Sequence, residues 1–390
     1  MTWRKALRTI GVCVLVMLLT GMVGCRGRGR PGGEEGDEAA PPAPKALIGV
    51  LLPLSGESKS QGEALVAGLK HALRHKGAAL GIAEASLEIK DYGDSLADIP
   101  AHARYLLEWQ DVPVLLGPIA PRGVEMIEEL ARQRKTAVLT TTSVPMKLSV
   151  VESTVWRLTF DDEQEGRALA DFAVAKRFRG AAVVVDSKSP SSEMRAKGFG
   201  ERFAELGGTV LSQVSYVSGE TDFRRLIRMA AERKPDVLYL TGGGAESTAI
   251  VQEMKRQGVF GSVFGSTDWD TDARFPVEVG AGAGVYAPCR FHRGRSSMVT
   301  IEFVKTFKEA TGHDPGALEA LGYDAGLVAL EAVSRAKERG SVVADEIAGL
   351  KLFTGATGRL AARRWSLAGE VVVLRLREGS FVFETSVEVK

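Results

Sequence analysis

From Ala46 onward, short apolar runs alternate with amphipathic stretches. Nine runs rich in Val, Ile and Leu read as strands: ALIGVLLPL from Ala46, SLEIKDY from Ser86, VPVLLG from Val112, TAVLTTT from Thr136, VWRLTF from Val155, AAVVVD from Ala181, TVLSQVSYV from Thr209, PDVLYLTG from Pro235 and GSVFGS from Gly261. Helical patterns fall between them. Leu65, Leu69, Ala72 and Leu73 make one apolar stripe, and Ser60 with Glu63 reads as a capping box that starts this helix. Charge on Glu125–Arg134 and Gln252–Arg256 marks exposed helix faces in the same way. Near-continuous apolar strands alternating with helices imply parallel sheets covered on both sides. The pattern restarts after Val155–Ala173, so the fold class is α/β, with two doubly wound lobes. The last stretch, Val371–Val389, differs and reads as a hairpin turning at Glu378–Gly379 and closing an edge. Ligands of doubly wound sheets sit beyond the carboxyl ends of the strands. The loops to inspect are therefore SGESKSQG (55–62), GPIAPRG (117–123), TTTSVP (140–145), DSKSPSS (186–192), TGGGAES (241–247) and GSTDWD (265–270).

The first residues follow another logic. Arg4, Lys5 and Arg8 precede the apolar stretch Ile10–Gly24, which is short for a transmembrane helix. It ends in MVGC at Met22–Cys25, which resembles the lipobox of bacterial lipoproteins, with Met22 where Leu is usual. The resemblance implies cleavage before Cys25 and lipidation of its thiol; an uncleaved anchor or an ordinary signal peptide is the alternative. Residues 1–24 are thus expected to be a lipoprotein signal peptide. Residues 25–45, dominated by Gly, Pro and charge, are expected to be a disordered tether. Fully extended, the tether spans about 65 Å. Cys13 lies in the removed segment, which leaves Cys289 as the one unmodified cysteine. That excludes an intramolecular disulfide, and Cys289 reads as a small, partly buried hydrophobe.

Fifty basic against 49 acidic residues, net +1, argue against a nucleic-acid partner. With 45% apolar residues and about 350 positions after processing, the chain has room for about two domains. Chemistry-bearing motifs are missing. No GxGxxG follows the first strand, and neither a phosphate-binding GxxxxGK[ST] nor a GxSxG elbow occurs. TGGGAES reads as a tight strand-to-helix turn, with an anion cradle as the alternative. His71 and His75 lie on one helix face without an HExxH context and read as solvated. Asp161 and Asp162 read as charges at a helix N-terminus rather than an acid/base pair. Nothing points to an enzyme, a metal or a cofactor.

The loops nonetheless carry a recognisable order. PLSG with its downstream Gly and Ala (53–72), DYGDS (91–95), LLGP (115–118), VWRLTFDDEQEGRALADF (155–172), SGETDF (218–223), PDVLYLTG (235–242), LGYDAGLVALEA (321–332) and FTGATGRL (353–360) come in sequence. In that order and spacing they resemble type I periplasmic solute-binding proteins of the leucine/isoleucine/valine-binding class, from Ile48 to about Val382. The resemblance implies two Rossmann-like lobes, 46–157 plus 288–350 and 158–287 plus 351–390. They would be joined by three hinge crossovers near Arg157–Phe160, Val285–Cys289 and Leu350–Gly355, closing on a ligand. It also implies an amino acid-like solute, an ABC permease partner, and a lipid-anchored place in the cell envelope. The ligand-binding positions carried over are Ser55, Ala120, Thr142, Ser143, Ser191, Gly243, Asp268 and Trp269.

At several of these positions the sequence departs from the family pattern. Ala120 and Pro121 stand where Ser is favoured, and Pro121 offers neither N–H nor hydroxyl. Val144 aligns with the usual Thr, with Thr142 or Ser143 able to shift in. The lid aromatics fall near Pro190–Ser191 and at Gly243. The acid survives as Asp268, which reads equally as a turn or cap residue. Two roles follow: a solute-binding lipoprotein for an ABC importer with an altered ligand, or a non-transport relative acting as a protein-interaction lipoprotein, as some cell-wall synthase activators do.

Overall fold

The computed structural model describes residues 46–82, 85–142, 153–259, 261–269, 284–363 and 366–389. Cys25, the segments before it, the tether and Ser143 lie outside the described residues. Fifteen strands are described: β1 Ala46–Leu52, β2 Ala85–Asp91, β3 Val114–Leu116, β4 Ala137–Thr140, β5 Val155–Arg157, β6 Gly180–Asp186, β7 Thr209–Tyr216, β8 Val237–Leu240, β9 Ser262–Phe264, β10 Val285–Cys289, β11 Phe353–Thr354, β12 Arg359–Arg363, β13 Ser366–Ala368, β14 Glu370–Arg377 and β15 Ser380–Glu388. They form two sheets. The first runs β11-β12-β13-β5-β4-β3-β1-β2 and the second β15-β14-β10-β9-β8-β6-β7. The nine sequence-predicted strands are β1 to β9, and every pairing among them is parallel. β14 and β15 form the expected antiparallel hairpin on the edge of the second sheet. Its turn residues Glu378 and Gly379 both have positive φ, 49° and 76°, as a two-residue turn matched to strand twist requires.

Each sheet is sealed by apolar residues on both faces. Ile48, Val50 and Leu52 of β1 point to one side, against Leu65 and Leu69 of the helix Lys59–Lys76. Leu51 points to the other, with Ile99, Leu106 and Val124. In the second sheet Ala182 and Val184 face one core while Ala181, Val183 and Val185 face another. This alternation explains why the strands look apolar at every position.

The helix over β1 starts earlier than its sequence suggests. Ser58 caps it without a side-chain hydrogen bond, and Ser60 lies inside it. His71 and His75 are not solvated, contrary to expectation. His71 Nε2 meets Thr306 Oγ1 at 2.9 Å, and His75 bridges the Tyr323 hydroxyl (2.8 Å) and Glu302 (3.1 Å). A later helix, Met298–Thr311, covers that face. Burial pushes the His71 imidazole down to about 4.

Helix pairs in both lobes cross through reciprocal glycines. Helix Lys59–Lys76 packs on helix Ala317–Arg339, where a Cβ on Gly68 would stand 1.9 Å from the Glu319 carbonyl oxygen and one on Gly322 2.1 Å from that of Leu65. Helix Asp162–Ala175 packs on helix Pro190–Glu205 in the same manner, Gly166 against the Arg195 carbonyl (2.1 Å) and Gly198 against that of Glu163 (2.2 Å).

The chain passes between the sheets three times. The first passage, 158–161, falls where the sequence suggests. The second, 290–297, follows β10 rather than coinciding with it. The third is the single residue Gly369, not 350–355, because residues 353–368 add β11 to β13 to the first sheet instead of joining the second. A Cβ at Gly369 would stand 2.3 Å from the Arg359 carbonyl oxygen, so this junction needs glycine. Side chains tie the passages together. Arg290 Nε donates to Thr159 Oγ1 at 3.1 Å, and Arg295 pairs with Glu370 at 2.6 Å while donating to the Thr357 carbonyl at 2.8 Å.

The motifs LGYDAG and FTGATG form one clamp. Asp324, fully buried, accepts hydrogen bonds from the Ala356 and Thr357 amides (2.6 and 2.9 Å) and from Thr357 Oγ1 (2.5 Å). Burial raises this carboxyl to about 6 against the pull of those bonds. Cys289 is buried, with its thiol on the Phe291 carbonyl.

Candidate functional site

The carboxyl ends of the first sheet gather three of the inspected loops. After β1 the chain turns through Ser55 and Gly56, and its amides meet the acids of DYGDS. Asp91 Oδ1 accepts from Leu54 N and Gly93 N, both at 2.7 Å, and Asp94 Oδ1 accepts from Glu57 N at 3.0 Å. Burial opposes the charge on Asp91, but bonds from Leu54, Ser55 and Gly93 hold its carboxyl below the usual range. Gly56, at φ 76°, leaves no room for a Cβ beside Asp94. The Ser55 hydroxyl and the amides of this loop therefore serve the loop itself.

After β3 the Gly117–Pro118 peptide is cis. The next two amides, of Ile119 and Ala120, lie toward the Tyr92 hydroxyl, whose side chain is buried. After β4, Thr140 Oγ1 donates to the Pro118 carbonyl at 2.7 Å and Thr142 is buried beneath it. Between these loops lies an open recess of 520 Å³, lined by Glu57, Gln61, Tyr92, Asp94, Ile119 and Ala120 among others.

The second sheet contributes its own carboxyl ends. Ser191 sits in the first turn of helix Pro190–Glu205. Gly243 caps the helix Gly244–Arg256, and the space where its side chain would be is open to 4 Å. Asp268 lies in the short turn Thr267–Trp269 with its side chain 49% exposed. Trp269 does not line the cleft: it is 1% exposed, in the lobe core, with its ring beneath Gly265.

Sequence reasoning missed what stands behind Asp268. Arg195, 3% exposed, binds Asp268 at 2.7 Å and also approaches Asp162 at 2.9 Å and Glu165 at 3.3 Å. Glu165 further accepts from Thr267 N (3.2 Å) and Thr267 Oγ1 (2.8 Å). Burial pushes the Glu165 carboxyl up to about 7 although Arg195 pulls it down. Arg195 itself is held above its ordinary value despite burial, by Glu165, Asp268 and Asp162. A signal was present in the sequence. Ser192, Arg195, Ala196 and Phe199 share one buried stripe, and an Arg in such a stripe announces buried acids nearby.

Among the described residues, no group of three or more His, Cys, Asp or Glu side chains is placed to hold a metal ion, and no helix is long and apolar enough to cross a membrane. What the loops can do is bind. They offer polar groups at the carboxyl ends of both sheets, which the passages 158–161, 290–297 and Gly369 connect.

Solved structures share this architecture. The leucine-binding protein LivK of Thermotoga maritima is 28% identical, over 88% of this chain and 98% of its own, with a TM-score of 0.68. A substrate-binding protein of an ABC transporter from Desulfitobacterium hafniense, in complex with Leu, is 19% identical over 87% of this chain and 99% of its own, at 0.72. A solute-binding protein from R. palustris, in complex with benzoate, is 20% identical over 89% and 98%, at 0.64. No curated protein matches the chain significantly by sequence. The profile of the periplasmic binding protein family, however, matches residues 46–368, and with two α/β lobes and three crossovers in place, the chain belongs to that family.

Proposed function

We propose that this chain is an extracytoplasmic solute-binding protein, anchored through lipidated Cys25, that delivers an amino acid or related small molecule to an ABC permease. The observation that supports this reading is the half-exposed Asp268 carboxylate at the carboxyl end of the second sheet, together with an open recess at the carboxyl end of the first. The leucine-binding structure at 28% identity supports a solute of amino-acid size. A carboxylate of this kind holds an ammonium by a charge-assisted hydrogen bond worth about 1.5–3 kcal/mol. Asp268→Asn therefore weakens such a ligand about ten- to a hundredfold by calorimetry. Equal affinity in the variant refutes the role given to Asp268. One observation favours the protein-interaction role instead: the Ile119 and Ala120 amides lie toward the Tyr92 hydroxyl, and Pro121 has no amide hydrogen to offer a ligand carboxylate. Mass spectrometry of molecules released from the purified protein separates the two, since the interaction role leaves no stoichiometric small molecule.

A further inference from the structure

The two sheets keep largely separate cores. Among the described residues, one small apolar cluster draws on the strands of both: Ala368 of β13 with Val371 of β14, beside Phe160, Ala168 and Val389. Each of the other clusters draws on the strands of one sheet alone. Two bodies with three short connections and little shared core turn against each other unless something else holds them. Polar side chains at the passages are placed to do so. Arg295, in the second passage, reaches both sides. Its Nη1 donates to the Thr357 carbonyl in the turn between β11 and β12, and its Nη2 binds Glu370, the first residue of β14. Arg359 of β12 approaches the other Glu370 oxygen at 3.6 Å. Thr357 is itself held through its amide and hydroxyl by Asp324 of helix Ala317–Arg339. The ion pair lies directly on Gly358, whose φ is 132°. A Cβ there would stand 2.7 Å from Glu370 Oε2 and 2.9 Å from Arg295 Nη1.

We propose that Arg295 is a latch that fixes the orientation of the second sheet against the first, and that loss of its bond to Glu370 frees the sheets to take a second orientation. Only Gly369 separates Glu370 from the strands of the first sheet. A rotation at that residue carries Glu370 away from Thr357, and Thr357 cannot follow because Asp324 holds it. One guanidinium fork with two fixed partners then has to release one of them. The Arg295 and Glu370 side chains are 9% and 14% exposed, so salt and water screen the pair little. An apolar contact of the same size would let the surfaces slide, whereas the fork accepts one geometry. The pair therefore serves the choice of orientation more than the stability of either sheet. Arg295 and Glu370 are positioning residues, and the latch does not depend on what the loops of the two sheets bind.

Single-molecule energy transfer in the full chain, without ligand, tests this. Donor and acceptor dyes are coupled to ketone-bearing amino acids at the positions of Lys70 and Glu201, exposed residues on helices Lys59–Lys76 and Pro190–Glu205, one beside each sheet. The wild type should give one narrow transfer efficiency. Glu370→Gln keeps the shape and removes the charge, and losing a charge-assisted bond should raise the share of molecules at a second efficiency about tenfold or more. Asp171→Asn is the control. It breaks the pair of Asp171 with Arg202, each 16% exposed, between two helices of the second sheet. It should lower the melting temperature and leave the efficiency unchanged. Should Glu370→Gln fail to fold, Arg295→Lys takes its place: the charge stays, but an ammonium lacks the fork that spans Thr357 and Glu370, so the same second state should appear. The latch is overturned if the wild type already divides between two efficiencies, if the folded variant keeps the single wild-type value, or if Asp171→Asn shifts the efficiency as much as Glu370→Gln does.

Discussion

A single methyl group tests the helix crossing that builds the first lobe. In Gly68→Ala the new Cβ stands 1.9 Å from the Glu319 carbonyl oxygen and 2.7 Å from the Tyr323 nitrogen. Both are backbone atoms, so no side chain can swing aside. An ordinary carbon–oxygen approach is about 3.3–3.6 Å, and the two helices must therefore part by roughly 1.5 Å. Their crossing is also the seam to the core that holds Leu65, Leu69, Leu321 and Ala325. Overpacking of this kind costs about 1–3 kcal/mol or more, against about 1 kcal/mol gained from the better helix propensity of Ala. Gly200 provides the matched control. It lies in helix Pro190–Glu205, and its new Cβ meets nothing nearer than Val210 Cγ2 at 3.9 Å. Gly200→Ala should therefore gain up to about 1 kcal/mol. For a domain of about 345 residues, unfolding entropy makes 3 kcal/mol worth about 4 °C in Tm. Differential scanning calorimetry should thus show Gly68→Ala about 3 °C below the wild type and Gly200→Ala at or slightly above it. The crossing argument fails if Gly68→Ala melts with the wild type, or if both variants lose the same amount.

Asp324→Asn should destabilise by about 3 kcal/mol or more, because an amide cannot accept from three donors and places its own N–H groups against them; denaturant titration measures this, and a loss below about 1 kcal/mol refutes the clamp. His71 is held neutral, with its value lowered to about 4, so it binds fewer protons folded than unfolded between about pH 4 and 6.5. The wild type should accordingly lose stability across that window as pH falls, by about 3 kcal/mol, and His71→Gln should lose less; parallel pH profiles for the two proteins would refute this. Glu165 and Asp324, both raised, work in the opposite direction and stabilise the fold less as pH rises through about 4 to 7, so the difference between variants carries the information rather than either profile alone. Cys25→Ser should yield uncleaved or soluble protein without lipid; an intact mass of the wild type that keeps residues 1–24 unlipidated refutes the lipobox reading.

The strands were legible because each is short and apolar at every position, and nothing else gives that signature at regular spacing. The third hinge passage was not. Residues 353–368 look like more strand, and which sheet they join depends on β13 pairing with β5, about two hundred residues earlier. His71 and His75 misled for a similar reason: the helix that covers them lies more than two hundred residues downstream. At the site, the loops could be placed from strand ends alone. Their hydrogen-bond economy could not. Ser55 and the amides around it read as ligand donors until Asp91 and Asp94 are seen to take them. Trp269 looks like a stacking platform beside an acid, yet a glycine four residues before it leaves the space that the ring fills from below.

Gly369 has a further meaning for the order in which the chain is made. Both sheets stay incomplete until the final few dozen residues exist, since β11 to β13 finish one and β14 and β15 the other on either side of that glycine. An emerging chain can form its local strand–helix units but cannot close either layer. Contacts between residues far apart in sequence also form slowly. A polypeptide wired in this way keeps both layers open until Gly369 and the strands on either side of it have been added.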